Sequence, residues 1–343
     1  MERVAGYIRV AVPKDPSPRP AWWARGAHAQ TLWGRYGRAK HLVTFEREVL
    51  TTPDEEDLAV DHLAGPAGAP RVILLHGLEG SSDAVYVQGL AQGLARAGMR
   101  VTALNFRSCA RDPASGALLP ARRPRLYHSG ETKDLDFLVE TLARREPRTP
   151  LLAVGFSLGG NVLLKWLGEK GARSLIEAAA TISVPYDLAA ASRYFERGFA
   201  RRYASHFLKG LKRKAADVIA RFPRETEHVN GDRIRFAQTL FAFDDYATAP
   251  FHGFLSAADY YRKSSSLRFL SSIEVPTLCV SAEDDPFLPR EVLRVARDAA
   301  SEDVKFALKP WGGHASFTFG PWPWRASYWA EERIVSWLAT RPA

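Results

Sequence analysis

Apolar positions along the chain fall into two kinds of run. The first kind is short and nearly continuous: Arg71-Val72-Ile73-Leu74-Leu75, Val101 to Asn105, Leu151-Leu152-Ala153-Val154, Ala178 to Val184, Val275 to Val280 and Val304 to Leu308. Runs of this length predict strands buried on both faces. The second kind spaces its apolar residues as a helix does, over about 83–97, over a helix opened by Tyr127 to Thr132 and running to about 145, from Val162 onward, and over 290–300 and 327–339. Strand and helix alternate, which predicts an α/β fold with a mostly parallel sheet and right-handed crossovers. Two alternating runs precede it, His41 to Leu50 and Leu58 to Leu63, parted by the turn-forming Thr51 to Asp57. They predict a leading hairpin.

The alternation breaks once. The stretch from about 185 to 272 is too long for one crossover and carries aromatic, basic, helix-spaced segments. It predicts a helical cap over the sheet end. Residues 15–40 are rich in Pro, Trp, Gly and His without a clean period. They predict an irregular segment packed on the main body through its tryptophans. The expectation is one domain over residues 1–343.

Composition narrows the class. With 343 residues and 46% hydrophobic content, one large core is within reach. Two cysteines, Cys109 and Cys279, exclude a disulfide framework and a cysteine metal cluster. Met1 to Ala5 holds no apolar core of signal-peptide length, and no apolar run approaches a membrane span. A soluble, cytoplasmic, monomeric protein is expected. The net charge of +9 is arginine-rich and scattered. Zinc knuckles and RNA-binding aromatic motifs are missing, so nucleic acid is not an expected partner. Arg193 to Arg235 mixes cations with Phe195, Phe199, Tyr203, Phe207 and Leu208. Peripheral contact with a membrane and a solvated face over an apolar acyl pocket both fit.

Chemistry enters at Gly155-Phe156-Ser157-Leu158-Gly159, a Gly-x-Ser-x-Gly pattern between a strand and a helix. Such a turn lifts a hydroxyl above the sheet end and aims a helix N-terminus at it. The bare pattern recurs by chance; its flanks give it weight. A serine nucleophile needs a base, and that base needs an orienting group. His314 lies in the loop between the last strand and last helix, where Ser-acid-His chain order puts the base. The acid belongs after the strand ending at Val280, in Glu283-Asp284-Asp285-Pro286. Asp285 is the choice because the following proline fixes the loop's direction; Asp284 is the reserve, otherwise a solvated or turn-capping carboxylate. Oxyanion donors are expected at the backbone N–H of Leu158 and of Leu78, the latter in His76-Gly77-Leu78-Glu79-Gly80. His76 reads as a stabiliser of that loop. Asn105-Phe106-Arg107 could orient a loop, and Ser129 or Thr132 reads as a helix cap. The chemistry requires no metal and no organic cofactor.

These motifs, with Pro20-Ala21-Trp22-Trp23, Gly26-Ala27-His28-Ala29-Gln30-Thr31, Tyr127-His128-Ser129-Gly130, Phe243-Asp244-Asp245-Tyr246 and Gly312-Gly313-His314, span nearly the whole chain. Together they resemble the α/β-hydrolases of the YheT-like group, related to eukaryotic α/β-hydrolase-domain lipases. The resemblance implies the α/β-hydrolase fold, a Ser157–His314–Asp285 triad and hydrolysis of small-molecule carboxylic esters, lipid or short-acyl. Ser108 departs from it, standing where the family usually has glycine. The eukaryotic relatives look membrane-anchored at the N-terminus, and that location is not expected to carry over. The leading reading is a serine esterase. A non-catalytic lipid or small-ligand binder on the same fold, and an acyltransferase or thioesterase using the same triad, are the alternatives.

Overall fold

The computed structural model describes residues 18–112 and 114–341. Positions 15–17 of the expected N-terminal segment therefore lie outside the described residues. Eight strands form one sheet: β1 (Glu46–Thr51), β2 (Asp57–Leu63), β3 (Arg71–Leu75), β4 (Arg100–Leu104), β5 (Leu151–Phe156), β6 (Ile176–Ile182), β7 (Thr277–Ala282) and β8 (Val304–Lys309). Their spatial order is β1-β2-β4-β3-β5-β6-β7-β8. β1 and β2 make the expected antiparallel hairpin, β2 meets β4 antiparallel, and every pairing from β4 to β8 is parallel.

The continuous apolar runs have a two-sided cause. Ile73 and Leu75 of β3 face one core, which holds Leu135 and Leu138 of one helix and Leu163 and Trp166 of another. Val72 and Leu74 face the opposite core, with Val87 and Leu90 from Val85–Arg96 and Ile334 and Leu338 from the last helix. Side chains alternate across a strand, so helices on both faces require apolar residues at every position.

Between β6 and β7 the described chain is mostly helical, including Leu188–Phe195, the long Ala200–Arg221 and Ala257–Ser264. The N-terminal tryptophans make separate contacts with the main body. Trp23 meets Trp33 edge-on, and Trp22 donates from its indole to Pro321 O at 2.8 Å. Among the described residues no helix is long and apolar enough to cross a membrane.

Three local expectations change. β1 starts at Glu46, not His41, because Val43 N–H bonds to the Gln88 side chain instead of a strand partner. Ser327 and Tyr328 do not open the last helix; they pair with Thr318 and Phe319, and the helix runs Trp329–Ala339. Neither Ser129 nor Thr132 caps Lys133–Arg145: Thr132 bonds to Glu169, and Glu131 accepts the Lys133 N–H.

Asn105 and Arg107 act as anchors. Asn105 Oδ1 accepts Ser82 N–H at 2.9 Å, fixing the end of the loop after β3. Arg107 grips both Asp54 and Asp134. Next to it, Ser108 has a φ of 59°, left-handed backbone in which a side chain is unfavourable. The serine adopts the turn that glycine would make freely, and its buried Oγ has no hydrogen-bond partner among the described residues. Ser108→Gly should relieve both, partly offset by a floppier unfolded chain, for a net gain of about 1 kcal/mol. A thermal melt is expected to rise by about 2 °C; an unchanged or lower midpoint would count against this account.

Candidate active site

The strand-to-helix turn is built by close backbone approach. Ser157 closes β5 with φ 50° and ψ −118°, and the helix Leu158–Lys170 starts at the next residue. Its N–H is held by Ile182 O at 2.8 Å. The two flanking glycines are sterically required. A Cβ at Gly155 would lie 2.5 Å from Gly159 O, and one at Gly159 would lie 2.5 Å from the carbonyl oxygens of both Leu75 and His76. The helix is pinned by Asn161, which donates to Ser129 O and Ser264 O and accepts from Ser266 N–H, each at 2.8 Å.

His314 and Asp285 meet. His314 Nδ1 lies 2.9 and 3.1 Å from the two carboxylate oxygens of Asp285, whose side chain is 1% exposed. Asp285 Oδ1 also accepts Phe287 N–H at 2.9 Å, and the Phe287 ring lies 4.1 Å from the imidazole. Asp284 turns away from His314. Its Oδ1 accepts Gly313 N–H at 2.9 Å, and burial raises its pKa. The pair leaves His314 Nε2 without a hydrogen-bond partner among the described residues, and His314 and Ser157 line the same cavity.

The histidine loop is braced from far away in sequence. Thr31 Oγ1 accepts His314 N–H at 2.9 Å, and Ser183 Oγ accepts Ala315 N–H at 3.0 Å. Gln30 accepts Thr318 N–H and donates to Thr318 O. None of these braces was read from the sequence. The available signals were the two polar residues closing Gly26 to Thr31 and the lone Asn161 before an apolar helical run.

The loop after β3 lies against Ser157: a Cβ on Gly77 would come within 3.2 Å of the serine Cβ. Gly77 N–H is taken by Tyr86 OH at 2.9 Å and Glu79 N–H by Tyr127 OH at 2.8 Å. Leu78 N–H lies between them without a protein acceptor among the described residues, as does Leu158 N–H at the helix start. His76 sets the loop's base. Its Nδ1 donates to Gly77 O at 2.7 Å and its Nε2 accepts Phe106 N–H at 3.1 Å, which fixes a neutral tautomer. Burial pushes its pKa down to about 4.

The cavity measures about 390 Å³ and is mainly apolar, with Leu126, Phe156, Leu188, Phe195, Leu211 and Leu288 on its walls. One wall is polar. Asp244 there accepts from Tyr261 OH and Thr248 Oγ1, both at 2.6 Å, and burial raises it to about 6.

Residues 70–321 match the alpha/beta hydrolase fold family. The Escherichia coli (strain K12) protein named "Putative esterase YheT" is 35% identical over 316 residues, 91% of this chain and 90% of that one. Phospholipase ABHD3 of Mus musculus is 29% identical over 317 residues, 90% of this chain and 75% of its own. Among solved structures, the Pyrococcus furiosus esterase Pf2001 superposes with a TM-score of 0.53 at 18% identity, over 80% of this chain and 84% of that one.

The depressed pKa of His76 has a stability consequence. An unfolded histidine takes a proton near pH 6.5, whereas the folded His76 refuses it until about pH 4. Between those values the unfolded chain binds more protons. The contribution of His76 is therefore intact above pH 6.5 and lost as pH falls through that window, by roughly 3 kcal/mol in all. The stability difference between the wild type and His76→Gln should accordingly shrink from pH 7 to pH 4.5 in urea unfolding. A constant difference would contradict a neutral His76.

Proposed function

The chain belongs to the α/β-hydrolase family, in its YheT-like, esterase- and lipase-like group, and we propose that it is a serine hydrolase of carboxylic esters. Ser157 is the nucleophile, His314 the base and Asp285 the orienting acid. The observation that supports this reading most is the Asp285–His314 pair, with a free Nε2, on the same cavity as a serine in a strained turn.

The steps follow from those positions. Ionised Asp285 holds the proton on His314 Nδ1 and leaves Nε2 basic. Nε2 takes the Ser157 proton as Oγ attacks the ester carbonyl. The carbonyl oxygen becomes an oxyanion, and the free N–H groups of Leu78 and Leu158 receive it. Collapse expels the alcohol, which takes the proton from His314. A water deprotonated by His314 then attacks the acyl-enzyme, releasing the acid and restoring Ser157. The apolar cavity suits a short- or medium-chain acyl group or a lipid ester. A cytoplasmic location stays part of this proposal.

Ser157→Ala should lower turnover of p-nitrophenyl butyrate by at least about 10⁴-fold, with an unchanged melting midpoint and no fluorophosphonate labelling. Activity undiminished in that variant would sink the assignment. A well-folded wild type that takes no label would favour a ligand-binding protein instead, and acyl transfer to an added alcohol would favour an acyltransferase.

A further inference from the structure

The loop that carries Leu78 is held from the opposite side by the long helix Ala200–Arg221. Glu79, the next residue, stands in left-handed backbone with φ 57°. Its carboxylate is the knot of a buried cluster. Lys214 Nζ donates to Glu79 Oε1 at 2.7 Å, with the side chains 5% and 15% exposed. Tyr127 OH donates to the same oxygen at 2.8 Å while accepting Glu79 N–H at 2.8 Å. The ammonium also reaches Cys109 Sγ at 3.1 Å and sits 5.0 Å from the centre of the Tyr127 ring. The second carboxylate oxygen fits a notch in the helix one turn before Lys214: a Cβ on Gly210 would strike Glu79 Oε2 at 2.0 Å.

The helix thus holds Glu79 with a cation at one position and a gap four residues earlier. The Leu78 N–H belongs to the Gly77–Leu78 peptide, whose carbonyl accepts Gly80 N–H at 3.0 Å and closes a turn with Leu78 and Glu79 at its centre. Holding the Glu79 side chain, N–H and φ holds that turn and, through it, the direction of the Leu78 N–H. The same helix lines the cavity with Tyr203, Phe207 and Leu211.

We infer that Lys214 is a positioning residue for the proposed esterase. Through Glu79 it aims the Leu78 N–H at the oxyanion, coupling the seat of the cavity-lining helix to assembly of the oxyanion hole. This rests on the serine-hydrolase reading above. A carboxylate held only by Tyr127 lets the turn at Leu78 and Glu79 shift between the anchors at Gly77 and Ser82, and the donor then lies off the developing charge. Ground-state binding in the apolar cavity is untouched, so the loss falls on kcat and not on KM.

The test uses the full chain and p-nitrophenyl butyrate, with Ser157→Ala in parallel. Lys214→Met should lower kcat by about 30-fold or more, somewhat short of the roughly 10²–10³-fold that follows outright loss of an oxyanion donor, with KM changed less than about threefold. Binding of a trifluoromethyl ketone, which forms a tetrahedral adduct on the serine, should weaken by a similar factor. Lys214→Arg, which keeps a cation for Glu79, should recover most of the rate. If Lys214→Met does not fold, Lys214→Gln is read with the same criteria. A kcat within threefold of wild type, or a loss carried equally by KM, overturns the coupling while an inactive Ser157→Ala leaves the hydrolase reading standing. Activity that survives in Ser157→Ala overturns both.

Discussion

The constraint on which the site depends is one residue with a side chain held at a φ of 50°. Such backbone costs on the order of 1–3 kcal/mol, and it persists only where its surroundings leave no alternative. Here β5 lies inside the sheet between β3 and β6, and the following helix is buried in the main core. The strand cannot shift and the helix cannot slide, because Asn161 spends all three of its hydrogen bonds on neighbouring backbone. The remaining freedom is the turn between them, and Ser157 occupies it. The same strain recurs nearby: Glu79, Ser183, Ala315 and Phe317 also have positive φ. Each follows a strand's carboxyl end or lies in the histidine loop. The sharp bends needed to bring four loops to one cavity fall on residues that resist them.

Much of this was legible in the sequence, for a physical reason. A strand covered on both faces must be apolar throughout, so β3 and β5 announce themselves with no ambiguity of period. The parallel order then fixes which loops emerge together, and chain order alone brought His314 and Asp285 to the same end. The choice of Asp285 over Asp284 rested on one proline, and in the structure the two carboxylates diverge as adjacent side chains must. Less was legible where a side chain substitutes for backbone. The alternating pattern runs past the true start of β1 because Gln88 takes the Val43 N–H, and neither Ser129 nor Thr132 caps its helix because Glu131 supplies the carboxylate. Periodicity is blind to both substitutions. The braces on the histidine loop were hidden for a related reason: Thr31 and His314 are 283 residues apart, and no local pattern joins them.

The two sides of the cavity are held by different parts of the chain in different ways. On the histidine side the braces from Thr31, Gln30 and Ser183 are neutral hydrogen bonds to backbone N–H groups. Bonds of this kind contribute about 1 kcal/mol each and tolerate small shifts in their donors. On the Leu78 side the hold is a buried ion pair. Taking Lys214 and Glu79 out of water costs several kcal/mol per ion, and an apolar pair of similar volume would often stabilise the fold as well. Burial works against the charge on Lys214, and its pKa is raised only because Cys109 and Glu79 outweigh that cost. Stability alone is therefore a poor reason for the pair. Direction is a better one: an ammonium, a phenol and a helix notch converge on one carboxylate, and the strained residue bearing it has no room to turn. A hydrophobic contact could fill that space but could not fix the orientation of the N–H beside it.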